Sequence, residues 1–355
     1  MRKHLKLIIA CSIVFQILLI KLLAKFPNTV ENLYSNGLYQ SISKLMHLVF
    51  GWIPFSVGDL LYTLAIVYCL RWLVLHRKRI ITSPKSWCID VLAAVSIGYF
   101  SFHILWAFNY YRLPLHTSLN LKKEYTTEAL ISTTDFLIAK TNTLHLSLTS
   151  NDSIKVEMPY TKKELLGLTP QGYQMLSKKY PHLAYESKSL KRSIYSLPLT
   201  YMGFSGYLNP FTNEAQIDGL IPKFKYPTTA SHEIAHQLGY AAENEANFIG
   251  CLATIHHDDV YFNYSGYAFA LRHCLNELYK RDKAQYDLFV SKINKGILKN
   301  YKEVHEFWKA YQNPTEPLFK STYNNFLKAN NQSDGMKSYS YVVALLVNYF
   351  DTIEE

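Results

Sequence analysis

Hydrophobic and polar positions divide the chain into two unlike parts. Three apolar stretches dominate the first, Leu7 to Phe26, Leu60 to Leu75 and Trp87 to Phe108, each near the roughly 20 residues that carry a helix across the hydrocarbon core. They predict three transmembrane helices, about 7–26, 60–75 and 87–108. Arg71 falls near an end of the second, where its side chain can snorkel to the headgroups. Lys21, Asp59 and Asp90 read likewise as anchors at span ends, and Trp72, Trp87 and Trp106 as interfacial aromatics. Between the first two stretches Leu33, Leu38, Ile42, Leu45, Met46 and Val49 recur at helical spacing, which predicts an amphipathic helix lying in the membrane interface.

From Asn109 onward the sequence turns polar and rich in tyrosine. Helical periodicity covers Thr127–Thr141, Pro170–Lys179, Thr229–Leu238, Glu243–His256, Tyr264–Lys280, Ala284–Tyr311, Pro317–Ala329 and Tyr339–Phe350. The strand signal is confined to Ser193–Met202 and Phe204–Ile217, the second interrupted by Asn209-Pro210, which places it at an edge or a bulge. The expected fold is mainly α: a membrane anchor over residues 1–108, then a mostly helical domain with a small β-sheet (α+β) over residues 109–355.

Composition narrows the function. With 49% hydrophobic and 18% charged residues the chain is too apolar for a disordered protein. Its formal charge of +10 is concentrated in residues 1–108, with 11 Lys/Arg against 3 Asp/Glu, and the rest holds 26 against 24. The domain therefore lacks the basic footprint of a nucleic-acid binder. Arg2, Lys3 and Lys6 precede the first span, and Arg77-Lys78-Arg79 with Lys85 separates the second from the third. Basic residues stay in the cytoplasm, so the loop Pro27–Asp59 and everything after Phe108 are expected on the outer face. The first stretch is expected to remain as an anchor, because Ile8-Ile9-Ala10-Cys11 has too few apolar residues before it and too many after it for a lipoprotein signal. Cys251 and Cys274 read as small buried residues on helices rather than as a disulfide, and the sequence holds no CxxC pair. Three spans with few central polar residues offer little for the midplane site of a transporter. No small-xxx-small stripe specifies an oligomer.

The chemistry is concentrated in one segment, Ser231-His232-Glu233-Ile234-Ala235-His236-Gln237-Leu238-Gly239, followed by Glu243-Asn244-Glu245-Ala246-Asn247-Phe248. Histidines four apart on a helix lie one turn apart on nearly the same face, so His232 and His236 can approach one metal, with Glu233 beside its water. A catalytic zinc needs a third protein ligand and an open fourth position. Glu243 is the candidate third ligand, with Asn247 one turn on, placed to support a ligating histidine. Glu245 is the rival, although its position on the helical wheel groups it with Phe248 and Ile249. His256-His257-Asp258-Asp259 reads as a helix end and a turn rather than a second metal cluster.

This segment resembles the zincin metallopeptidases, in the branch whose HExxH is followed by a helix carrying the third, glutamate ligand in E-x-x-A-D or E-x-x-A-N. A wider resemblance is to an uncharacterised bacterial family of three-span membrane proteins with an external HExxH domain. It rests on Pro54-Phe55-Ser56-Val57-Gly58-Asp59, Asn109-Tyr110-Tyr111-Arg112, the segment His232–Phe248 and Tyr264-Ser265-Gly266-Tyr267. The zincin resemblance implies a Zn2+ cofactor held by His232, His236 and Glu243, and Glu233 as general base on zinc-bound water. It implies hydrolysis of a peptide or protein substrate of the cell envelope, on the outer face of the inner membrane. An oxyanion donor is expected among Tyr264, Tyr267 and His273. Zincins align substrate along an edge strand beside the metal helix; Phe204–Ile217 is placed to serve as that strand or as a purely structural one. The alternative is a scaffold or binding protein of the envelope that keeps the zincin shape without catalysis.

Overall fold

The computed structural model describes residues 2–186, 189–336 and 341–354. Three of its helices are long and apolar enough to cross a membrane: His4–Leu23, Val57–His76 and Pro84–Leu105. The first and third pack side by side along a polar seam in which the Gln16 amide donates to Ser96 Oγ (2.9 Å) and Ser12 and Ser96 share a hydrogen bond. At the end away from the domain, Asp90 on the third span accepts from Lys6 on the first and from Arg79 in the hairpin, at 2.7 and 2.8 Å. The second span packs along neither of the others. It meets the third through Trp72 and Trp87 near that same distal end, and toward its other end Tyr62 stacks on Tyr207 of the domain.

Between the first two spans the chain forms a π-type helix, Val30–Leu38, running into an α-helix, Tyr39–Phe50. Of the expected apolar face Leu33, Leu38, Leu45 and Val49 are exposed and Ile42 and Met46 half-buried, and Leu48 and Trp52 are exposed beside them. The opposite face buries Tyr39, Ser43 and His47, spaced one turn apart, against the polar domain. Ser43 donates to Asn213 Oδ1 and His47 bonds Asn213 O, each at 3.1 Å. This helix is therefore shared between the interface and the domain.

The domain is mainly helical around one core that includes Leu130, Leu137, Tyr173, Leu176, Phe248, Leu271 and Leu278. Helix Thr127–Leu148 lies along Val260–Arg281, and helices Tyr226–Gln237 and Glu243–Ile255 pack as an adjacent pair. Several elements differ from the sequence reading. The helix expected to begin at Pro170 begins at Lys162, because Thr161 and Glu164 form a capping box upstream and Pro170 is absorbed inside. The long run Ala284–Tyr311 is two helices, Lys283–Lys292 and Lys295–Ala310, parted where the Asn294 N–H turns to Asn142 Oδ1. The last helix, Val342–Glu354, starts inside the expected range; Tyr339 and Ser340 lie outside the described residues.

The strand expected over Ser193–Met202 is also corrected. Ser193 Oγ accepts the Tyr195 N–H and Ser196 Oγ donates to Ser193 O, a turn that launches a short helix, Ser196–Met202. The strand comes earlier, β1 at Leu190–Arg192. Phe204–Ile217 folds into a hairpin, β2 Gly206–Leu208 and β3 Ala215–Ile217, turning at Asn209-Pro210 and at Asn213, whose φ is 53°. The sheet order is β1-β3-β2, with β1 parallel and β2 antiparallel to β3, so β2 is an edge strand.

Candidate metal centre

Helix Tyr226–Gln237, the motif helix, carries Pro227 in its first turn and is buried at nearly every position. It ends at Gly239, whose φ of +88° lets Tyr240 N–H reach back to Ala235 O at 3.1 Å. A side chain there would be strained and would meet Asn109 Oδ1 and the Tyr39 ring. This tight turn brings the chain straight back, so that helix Glu243–Ile255 starts its first turn opposite the two histidines.

The result is a cluster of three donors. His232 Nε2 lies 3.2 Å and His236 Nε2 3.8 Å from Glu243 Oε2, and one ligand atom from each residue falls within 4.8 Å of the others. The far nitrogens are tied off: His232 Nδ1–H donates to Asn247 Oδ1 (2.9 Å) and His236 Nδ1–H to Tyr240 O (2.7 Å). Those acceptors make Nδ1 the donor of each ring and leave both Nε2 atoms facing Glu243. Glu243 Oε1 accepts from Tyr323 OH at 2.5 Å, whereas Oε2 is buried with no hydrogen-bond partner among the described residues. These three side chains could hold a metal ion, and their donor types suit a divalent one.

Electrostatics separates the two rival carboxylates. Burial opposes the charge of Glu243, yet the two histidines hold its carboxyl well below the usual range. Burial likewise works against His236, but Glu243 and Glu233 raise it to about 9. Glu245 is turned the other way, accepting the Leu115 N–H at 2.7 Å, and burial pushes its carboxyl up to about 7. Glu243, not Glu245, stands with the histidines.

Glu233 is 4% exposed, and its Oε2 has no hydrogen-bond partner among the described residues. Burial raises its pKa against the pull of the neighbouring histidines. It lies directly against β2, since a Cβ on Gly206 would sit 2.8 Å from Glu233 Oε1. That Cβ would also meet the backbone Gln216 O at 2.7 Å, so only a glycine lets the strand pass here.

A cleft of about 1060 Å³ opens in front of these groups. One wall is Phe204–Leu208; His273 and Phe269 form another. Of the three expected oxyanion donors, only His273 reaches the cleft. Burial, Arg272 and Lys225 hold its pKa down to about 4, so it is neutral. Tyr264 and Tyr267 lie elsewhere: Tyr264 OH donates to Asn300 Oδ1 in the core (2.9 Å), and Tyr267 packs beside Phe350. Phe269 and His273, four apart, mark the cleft face of helix Val260–Arg281, and the two tyrosines fall out of that phase. Sequence reasoning also missed Lys225, a cleft residue whose burial, with Arg272 nearby, lowers its pKa to about 8.

The larger omission lies in the residues read as membrane anchors. Trp106 is 6% exposed and its Nε1–H donates to His236 O at 3.1 Å. Tyr39 OH donates to Gln237 O (2.8 Å), and Arg112, paired with Glu31, donates to Gly239 O (2.9 Å). The carbonyls that a helix end leaves unpaired are thus met by juxtamembrane side chains. Asp59, fully buried, accepts from Ser193 Oγ (2.9 Å), the Ile194 N–H (2.7 Å) and Tyr207 OH. Glu214, before β3, accepts the N–H groups of Val57 and Gly58 and faces Lys191. The signal for these roles was Pro54–Asp59 and Asn109–Arg112, which stand out in the sequence without showing what they touch.

Compared with known proteins, residues 34–347 match a family model described as Protein of unknown function (DUF3810). The match begins in the loop between the first two spans and runs through both later spans and the domain. Neither the curated proteins nor the solved structures compared with the chain show a match.

Proposed function

We propose that this chain, which belongs to the DUF3810 family of proteins of unknown function, is a membrane-anchored metallopeptidase. The observation that carries this reading is the convergence of His232, His236 and Glu243 on one point, each imidazole tied off at Nδ1, with Glu233 buried alongside. Those three side chains would hold a divalent ion, with zinc the best fit to two imidazoles and a carboxylate. When bound, the ion supplies Lewis acidity toward the scissile carbonyl and a water.

The chain's own groups do the rest. Glu233 takes a proton from the attacking water as its oxygen bonds to the carbonyl carbon, and returns that proton to the amide nitrogen as the C–N bond breaks. His273, neutral and on the cleft wall, is the candidate donor to the carbonyl oxygen. The edge of β2 aligns an extended peptide by strand addition. Charge distribution along the spans supports a cytoplasmic N-terminus and a domain on the outer face of a bacterial inner membrane. The rival reading, a non-catalytic scaffold, leaves Glu233 without a purpose, since an unpartnered buried carboxylate oxygen costs stability.

The test uses full-length protein loaded with zinc and a peptide library. Glu233→Gln is expected to retain the metal and lose hydrolysis by about 10²–10⁴-fold. A metal-loaded wild type that cuts no peptide, or a Glu233→Gln variant as active as wild type, contradicts the proposal.

A further inference from the structure

The cleft has a wall that a soluble peptidase would not need. Tyr62 and Ile66 of the second span and Phe102 of the third line it, alongside Trp106. Ile66 lies well inside its span, roughly 14 Å beyond Val57 at 1.5 Å of rise per residue. It is 55% exposed, as are its neighbours Leu64 and Val67 to similar degrees. The two spans meet at their distal ends through Trp72 and Trp87 and do not pack together toward the domain. The space between their domain ends is continuous with the space in front of Glu233, since Tyr62, Ile66, Phe102 and Glu233 line one cleft.

What can use that gap is set by the strand on its far wall. Asn209 N–H donates to Glu214 O (2.9 Å) and Asp218 N–H to Ser205 O (2.8 Å), so residues 205, 207 and 209 turn their backbone groups toward β3. By antiparallel alternation, the N–H and C=O of Gly206 and Leu208 face the open edge. A lipid tail offers nothing to such an edge; an extended polypeptide pairs with it. The loop helix marks the level of the bilayer, because Leu45 and Leu48 point outward from a face whose back is bonded to the motif helix and Asn213. The strand edge, Glu233 and the apolar side chains of the two spans line this one cleft.

We propose that substrate enters laterally from the bilayer between the domain ends of the second and third spans, and that the segment presented to Glu233 is the juxtamembrane end of a membrane-anchored polypeptide. This rests on the peptidase reading for its chemistry, but the entry route is a matter of binding and is tested as such. A water-soluble peptide lacks the apolar part that Tyr62, Ile66 and Phe102 are placed to receive. An anchored one is also concentrated at the cleft by its confinement to the same bilayer.

The experiment places a photo-crosslinking amino acid at position 66 or 102 of the full-length Glu233→Gln protein in vesicles. Two probes are compared: a synthetic single-span peptide with a randomised juxtamembrane tail of about ten residues, long enough in extended form to cross the cleft, and the same tail without the span. Crosslinking of the anchored probe at both positions, at least about tenfold above the free tail, is expected. Absence of crosslinks at both positions, or equal yields from the two probes, overturns lateral entry. Hydrolysis is scored separately with wild type. Crosslinking without cleavage leaves the entry route standing and removes the peptidase reading; cleavage without crosslinking at 66 and 102 does the reverse.

Discussion

The motif helix Tyr226–Gln237 and the loop helix Tyr39–Phe50 are each 12 residues long, yet they meet their surroundings in opposite ways. The motif helix is enclosed by protein, with Ala230, Ile234 and Ala235 fully buried and its polar His232, Glu233 and His236 gathered at one cleft. The loop helix is inverted: Tyr39, Ser43 and His47 point inward, and Leu45, Leu48 and Val49 point out. An inverted helix is unfavourable in water and natural at a membrane surface, where apolar side chains face the acyl boundary. The two helices are joined by the hydrogen bond from Tyr39 OH to Gln237 O. The cluster of His232, His236 and Glu243 is thus braced by elements whose outer faces are apolar and exposed.

The contrast is broken most severely by a charge on each helix in turn. Ala235→Lys buries an unpaired ammonium and is expected to cost more than about 4 kcal/mol, leaving no folded protein, whereas Leu48→Lys stays within about 0.5 kcal/mol in thermal unfolding in detergent. A comparable loss from Leu48→Lys would mean that the leucine face is covered by protein. Next in size is Asp59→Ala, which orphans Ser193 Oγ, the Ile194 N–H and Tyr207 OH. It is expected to lower stability by about 3 kcal/mol, read from denaturant unfolding. Leu60→Ala, beside it on the lipid side, is the control with little effect. Smaller again is Tyr39→Phe, which removes the donor to Gln237 O and the acceptor of the Asn213 Nδ2–H and should cost about 2 kcal/mol with metal content intact. No measurable change would place the brace elsewhere, on Trp106 and Arg112.

Sequence periodicity located the motif helix to within a few residues, and the wheel position of Glu243 against Glu245 matched the face each occupies. Both are local properties, fixed by one turn of helix and the next. What could not be seen depends on which surface a residue meets. Trp106 and Asp59 at span ends have the composition of lipid anchors, and only the folded chain shows them turned to His236 and Tyr207. Tyr264 and Tyr267 were one helical phase away from His273, a difference that sequence spacing records but cannot orient without the neighbouring helices. Gly206 gave no signal, because its importance is a distance to Glu233 and not a preference of its own strand.

The most direct test is metal content per chain of the full-length protein in detergent, measured for wild type and for His236→Ala, Glu243→Ala and Glu245→Ala, with folding followed by circular dichroism. The proposed function predicts close to one divalent ion, zinc in the first instance, per wild-type chain, lost from His236→Ala and Glu243→Ala and kept by Glu245→Ala. A folded wild type that takes up no divalent metal, or a site lost with Glu245 and kept without Glu243, would contradict it.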